Sequence, residues 1–245
     1  MPPSEKNIGS MYGSRETSTF LGLPACSDMA ALEARIAIIG AGCATPYASV
    51  GAYCADAPVA IRAAMARYSA TVSHYDFDLG GPLLGRALAS AVDCGDLPFD
   101  EADASGNRDR IRAAVSTMLE RGATPIVIGG DDSVPIPIFQ AFEGRGRFAI
   151  LQLDAHIDFR DEVGGGRWGL SSTMRRASEL GCIGRIIQVG QRGGRLGAGS
   201  RLRGCSGGGR KIHLGASAAH EGHRPNARPR SQRGRPACHL RLRCA

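Results

Sequence analysis

The sequence predicts an α/β fold in which a parallel β-sheet is covered by helices. Apolar runs that end in glycine alternate along the chain with amphipathic segments of helical period. The runs are apolar at successive positions, which is typical of strands buried on both faces of a parallel sheet. At 245 residues and 43% hydrophobic content, the chain is long enough for one such domain. Ligands bind at the carboxyl ends of such strands, so functional residues are expected there.

The elements follow one another after a polar N-terminal arm over residues 1–34. The first strand is predicted over residues 35–42, RIAIIGAG, which ends in glycines. Helices are predicted over 56–71, which has a proline near its start, and over 107–122, where a glycine is placed to end the helix. Three later strands are predicted in TPIVIGGDDS, RFAILQLDAHID and RIIQVGQR, with a helix in SSTMRRASELG. One α/β domain is therefore assigned to residues 35–192.

Charge divides the chain into an acidic body and a basic tail. From Gln191 to the end there are thirteen Arg and Lys against one acid, a net charge of +12. The total of +7 therefore leaves −5 for residues 1–190. The tail is dominated by Gly, Arg, Ala, Ser and Pro and has no hydrophobic period from which a core could be built. We predict that residues 193–245 are a basic, disordered tail.

Composition also bears on the compartment. No run approaches the roughly 18 to 20 apolar residues of a membrane span, and the polar start has no signal-peptide segment. The eight cysteines are scattered, with no CxxC pair, and are interpreted as reduced thiols. We therefore predict a cytoplasmic protein with no membrane partner.

Residue types that bind metals follow two of the predicted strands. AILQLDAHID runs into Asp154, His156 and Asp158, which point to one side if the segment is extended. IVIGGDDS places Asp131 and Asp132 after a glycine pair that permits a tight turn. Carboxylates with one imidazole suit manganese, zinc or iron, and a bridging Asp allows two ions about 3.5–4 Å apart. Solvated acids at a strand end remain the alternative for an isolated D-x-H-x-D.

Three segments, PIVIGGDDS, LQLDAHIDFRDE and SSTMRRASE, occur in an order and separation that resemble the ureohydrolase signatures, as do DAPVAIR and HYDFDLGG upstream. The ureohydrolases are the arginase and agmatinase family of binuclear-manganese enzymes, which hydrolyse guanidino compounds to urea. The resemblance covers about residues 20–192 and is closer to the agmatinase-like branch. It implies an arginase/deacetylase-type doubly wound parallel sheet with helices on both faces, incomplete at the C-terminus, and usually a homo-oligomer.

The resemblance also implies a set of metal ligands. Asp154 would bridge two manganese ions, His156 would bind one of them, and Asp158 would bind the other together with Asp132. Another divalent metal in place of manganese stays open. The bridging water, with its pKa lowered to about 7, would attack the guanidinium carbon, and an amine and urea would leave. The choice among agmatine, guanidinobutyrate, guanidinopropionate and another guanidino acid also stays open.

Three departures from the family pattern bear on activity. Asp132 stands where the usual G-G-D-H-S motif has His, which adds a charge and can shift the metal preference. Leu170 aligns with the His that serves as proton shuttle, so no catalytic residue is assigned. The downstream S-x-D-x-D-x-x-D-P motif, which supplies two further bridging carboxylates and sheet strands, is absent. The abrupt change near Gln191 leads to the hypothesis of a reading-frame shift.

Other functions are weighed against this one. The strongest competitor is a catalytically inactive family member, which the missing ligands and Leu170 favour. An Arg- and Gly-rich tail could bind nucleic-acid phosphates, but it has no Phe, Tyr or Trp to stack on bases, so no nucleic-acid partner is expected. A zinc deacetylase of the related fold ranks third, because the GGDDS and DAHID contexts fit hydrolases of small guanidino substrates better.

Overall fold

The computed structural model describes residues 17–82, 90–192 and 211–214. Strands and helices alternate through these ranges. The strands are β1 Ile36–Ala41, β2 Tyr75–Asp76, β3 Gly81–Pro82, β4 Ala91–Asp96, β5 Thr124–Gly129, β6 Phe148–Leu153, β7 Ile183–Val189 and β8 Lys211–Leu214. The α-helices are α1 Ala57–Met65, α2 Ala104–Glu120, α3 Pro135–Ala141 and α4 Thr173–Glu179. None of these helices is long and apolar enough to cross a membrane.

Two parallel three-stranded sheets form the framework. The first sheet has the order β4-β1-β5 and the second has the order β6-β7-β8. Strands β2 and β3 form a separate antiparallel pair. Among the described residues, no backbone pairing joins β5 to β6. The predicted α/β class with parallel strands is confirmed, and the strands are divided between two sheets.

The first sheet is covered on both faces. On one face, Ala37 and Ile39 of β1 pack with Met118 of α2. On the other face, Ile38 packs with Leu23 from the segment before β1 and with Ile128 of β5. This alternation of side chains along β1 places a core on each side of the strand. Burial of both faces explains why the sequence of β1 is apolar at successive positions.

The second sheet is covered on one face only by the described residues. Ile186 of β7 packs there with Met174 and Ala177 of α4, and Ile150 of β6 lies against the same cluster. Side chains of β6 that point to the opposite face are exposed, with 63% of Leu151 and 75% of Leu153 accessible to solvent. Within the described part of the chain, this apolar strand thus has one face that nothing covers.

A buried ion pair fastens α1 to the edge strand of the first sheet. Arg62 donates to both carboxylate oxygens of Asp93, at 2.7 Å from Nε and 2.9 Å from Nη2, and also contacts Asp96. The backbone N–H groups of Phe20 and Gly95 donate to Asp93 as well. Burial alone raises the pKa of Asp93, but these donors outweigh it and hold the pKa below its usual value. The Arg of the DAPVAIR segment therefore has a structural role.

Most predicted elements are confirmed, with differences at their ends. The helix predicted over 107–122 is α2, which buries Ile111, Val115 and Met118 on one face. The helix predicted over 56–71 is α-helical only to Met65 and continues as a 3₁₀ turn. Strand β4 and helix α3 were not predicted. The sequence of β4, AVDCGD, has no apolar run, because it contains Asp93, which is buried in an ion pair with Arg62. Helix α3 has two prolines in its first turn, which hide its helical pattern.

The predicted arm and tail are described in part. Residues 17–34 of the arm pack on the domain through Leu23 and Leu32, both buried. Residues 1–16 lie outside the described residues, as do 193–210 and 215–245 of the tail. The described part of the tail forms β8, which pairs with β7 in parallel. The disordered tail and the domain limits stay predictions.

Candidate metal centre

The loops after β1 and β5 are held together by a serine hydroxyl. The Oγ of Ser133 accepts hydrogen bonds from the backbone N–H groups of Ala44, at 3.1 Å, and Thr45, at 2.9 Å. A Cβ added at Gly130 would lie 1.7 Å from the carbonyl oxygen of Gly42, so only glycine allows the loops to approach this closely. The glycine before the two acids is thus required for close packing of two backbones.

The two adjacent acids of the β5 loop have different surroundings. Asp131 accepts hydrogen bonds from the backbone N–H of Ser133, its hydroxyl and the thiol of Cys43, at 3.0, 2.5 and 3.3 Å. Burial, and then the charge of Asp131, raises the pKa of Cys43 to about 12, so this thiol keeps its proton. Asp131 therefore holds the loop together, whereas the neighbouring Asp132 is exposed.

The segment after β6 turns instead of remaining extended. The strand ends at Leu153, and Asp158 has a φ of 42°, a left-handed conformation that non-glycine residues rarely adopt. The expectation that three alternate residues point to one side of an extended segment is therefore wrong. Asp154 accepts a hydrogen bond of 2.8 Å from the backbone N–H of His156, which fixes the turn. This turn brings Asp154 and Asp158 together while the His156 side chain stays largely exposed.

Carboxylates from both sheets meet at one point. Ligand oxygens of Asp132, Asp154 and Asp158 lie within 4.8 Å of one another. Burial, and then the charges of Asp154 and Asp132, raises the pKa of Asp158 to about 6. Although Asp132 is exposed, the surrounding protein partly desolvates its carboxylate, and this desolvation, with the charges of Asp154 and Asp131, also raises its pKa. The cluster therefore carries negative charge that the surrounding protein compensates only partly.

A divalent cation would supply the missing positive charge. Three carboxylates at this spacing can each offer an oxygen to one ion, and oxygen donors suit manganese, magnesium and calcium. The chemistry of the donor set thus fits a divalent metal. The exposed imidazole of His156, whose Nδ1 lies 3.4 Å from Oδ1 of Asp154, lies outside the carboxylate group. Its role as a ligand stays a prediction.

The start of helix α4 hydrogen-bonds to both loops that carry the proposed ligands. The hydroxyl of Thr173 donates to the carbonyl oxygen of Asp132, and the backbone N–H of Met174 donates to that of Asp158 at 3.0 Å. The SSTMRRASE segment therefore lies beside the two other motif segments because its residues hydrogen-bond to their backbones. Leu170 begins the 3₁₀ turn before α4, where its side chain has no group that can transfer a proton.

Residues that support the cluster were not predicted from the sequence. Gln152 donates to Oδ2 of Asp158 at 2.9 Å and lies 3.4 Å from Oδ2 of Asp154. It is the one polar residue within the apolar strand AILQL, two positions before Asp154. That isolated polar residue, on the side of the strand that leads to the ligands, is the signal that could have identified it.

Comparison with known proteins finds relatives of one family. A model described as "Arginase family" matches residues 34–205. An arginase from Glycine max is 30% identical over 191 residues, which are 75% of this chain and 48% of the relative. An agmatinase from Bacillus anthracis is 33% identical over 102 residues, 40% of this chain and 35% of the relative. The chain thus spans less than half the length of these relatives.

Solved structures show the same fold. The Trypanosoma cruzi formiminoglutamase, whose structure is described as containing Mn²⁺, superposes with a TM-score of 0.60 at 22% identity. The match covers 81% of this chain and 65% of that chain. The family match covers most of the chain and includes both strand ends that carry the carboxylate cluster. The chain therefore belongs to the arginase family.

Proposed function

We propose that this chain is a metal-dependent hydrolase that cleaves the guanidino group of a small substrate to urea and an amine. The observation that supports the proposal is the convergence of Asp132, Asp154 and Asp158 at the carboxyl ends of β5 and β6. Strand ends of this kind are where parallel sheets bind their ligands. Membership of the arginase family supports this class of reaction.

The four residues of the proposed site would share the binding of two metal ions. Asp154 would bridge two ions, with Asp132 and Asp158 on one of them and His156 on the other. A bound divalent ion lowers the pKa of water towards neutrality and so supplies a nucleophile. The carboxylates would hold and orient the metal.

Within the family we propose an agmatinase-like substrate. The similarity to the Bacillus anthracis agmatinase and the motif segments support this choice. The arginase of Glycine max is as similar, so arginine and formimidoyl compounds are the competing substrates. We also propose manganese as the metal, a homo-oligomeric assembly and a cytoplasmic location.

The test is urea release by the purified, manganese-loaded chain over a panel of agmatine, guanidinobutyrate, guanidinopropionate and arginine, with ammonia or formamide release from formimidoylglutamate. We expect turnover that disappears in Asp154→Asn, which removes the negative charge of a proposed ligand. Glu162→Gln is the matched control, because this exposed acid of the same loop region lies outside the cluster. A folded, manganese-loaded chain that turns over no member of the panel would contradict the proposal and indicate an inactive family member.

A further inference from the structure

Two glutamines lie side by side on adjacent strands of the second sheet. Gln152 of β6 and Gln188 of β7 are direct partners in the parallel register. They share a sheet face with Ile150 and Ile186, which belong to or pack against the apolar cluster under α4. Gln188 is 2% exposed. A buried amide on an apolar face is costly unless its hydrogen bonds are satisfied, so the partners of this pair define its role.

The hydrogen bonds of the pair have a fixed direction. The Nε2 of Gln188 lies 2.9 Å from the carbonyl oxygen of Ile157, which can only accept. That contact orients the Gln188 amide, whose NH₂ group also donates to Oε1 of Gln152 at 2.5 Å. Since the oxygen of Gln152 is thereby occupied, its NH₂ group must face the carboxylates of Asp158 and Asp154. The hydrogen bonds thus form a chain that links the Ile157 carbonyl, through Gln188 and Gln152, to two proposed metal ligands.

We infer that Gln188 and Gln152 form an amide relay that positions Asp158 and Asp154 for metal binding. Gln188 holds the ligand loop twice, through the Ile157 carbonyl next to Asp158 and through the Gln152 side chain. Gln152 places one NH₂ group between two carboxylates that otherwise repel each other. Both are positioning residues, and Gln188 acts from the neighbouring strand without touching the ligands. The inference rests on the proposed metal site but not on the identity of the substrate.

The backbone conformation of the ligand loop explains why the glutamine pair is needed. Asp158 has a φ of 42°, so its conformation persists only if neighbouring groups hold it. The carbonyl of the preceding residue is bound by Gln188, and the carbonyl of Asp158 itself is bound by the N–H of Met174 at 3.0 Å. Loss of Gln188 would free one side of this strained residue. Removing partners of metal ligands typically weakens metal affinity about 10- to 100-fold.

The experiment is a Mn²⁺ titration of the metal-free full chain, with free Mn²⁺ measured by its electron paramagnetic resonance signal. Gln188→Met and Gln152→Met keep the side-chain length and remove the amide. We expect each to raise the dissociation constant about 10- to 100-fold. Gln140→Met is the matched control, because Gln140 lies on α3 and its side chain makes no hydrogen bond to the described residues. This variant should bind as the unaltered chain does.

Because Gln188 acts in part through Gln152, the double variant should bind more tightly than the product of the two single effects implies. Circular dichroism checks that each variant is folded, and Gln152→Met serves if the more buried Gln188→Met does not fold. Unchanged affinity in a folded Gln152→Met variant, or multiplicative effects in the double variant, would overturn the relay. A chain that binds Mn²⁺ but releases no urea would refute the proposed function and leave the relay standing. A folded chain that binds no Mn²⁺ would refute the metal site and the relay together.

Discussion

The two three-stranded sheets contribute to one carboxylate cluster but differ in how they are buried. The first sheet has a core on each face and a buried ion pair at its edge. The second sheet packs on one face, while Leu151 and Leu153 on its other face are exposed. The second sheet nevertheless supplies Asp154, Asp158 and both glutamines of the relay. The first sheet thus has a core on both faces, whereas the second sheet supplies two of the three clustered carboxylates and the glutamines beside them.

The largest effect is expected at the ion pair of the first sheet. Arg62→Met leaves the buried carboxylate of Asp93 without its cation, and breaking a buried pair in this way typically costs about 3–5 kcal/mol. The measurement is the free energy of unfolding from urea denaturation. Arg112→Met is the control, because Arg112 pairs with Asp109 on the surface and should contribute about 1 kcal/mol or less. Equal losses in the two variants would show that the first sheet does not depend on this pair.

The next comparison removes one apolar side chain from each sheet. Ile39→Ala in β1, where the side chain is 1% exposed, should lower the free energy of unfolding by about 2–5 kcal/mol. Leu153→Ala in β6, which is 75% exposed, should change it by about 0.5 kcal/mol or less. A large loss in Leu153→Ala would mean that the open face of the second sheet is covered in solution.

Buried acids of the two sheets should also make the stability of the metal-free chain respond to pH in opposite directions. Asp158 has a raised pKa of about 6, so the folded state gains stability as pH falls from 7 towards 4, by about 1–3 kcal/mol. Asp93 has a lowered pKa, so its contribution is present above about pH 4 and is lost as pH falls further. Urea denaturation between pH 7 and 3 should therefore show a maximum in stability. Asp158→Asn should reduce the rise between pH 7 and 4, and the raised pKa of Asp132 should leave a smaller rise in place. An unchanged rise would contradict this assignment.

The sequence predicted the parts that depend on local pattern. Strands β1, β5, β6 and β7 were recognised because each is an apolar run, and acids at strand ends pointed to the site. Strand β4 was missed because it contains the charged Asp93, which is buried in an ion pair with Arg62, 31 residues away. The Gln152 and Gln188 pair depends on the register of two strands, which no local pattern gives. The left-handed Asp158 invalidated the extended geometry but still brought the acids together.

The central claim is that carboxylates from the two sheets bind one metal site. The direct measurement is the Mn²⁺ affinity of Asp132→Asn, which alters the loop of the first sheet, and of Asp158→Asn, which alters that of the second. We expect both variants to weaken the same binding event, since their oxygens lie within 4.8 Å of each other. If Asp158→Asn weakened Mn²⁺ binding while a folded Asp132→Asn bound as tightly as the unaltered chain, the shared site would be contradicted.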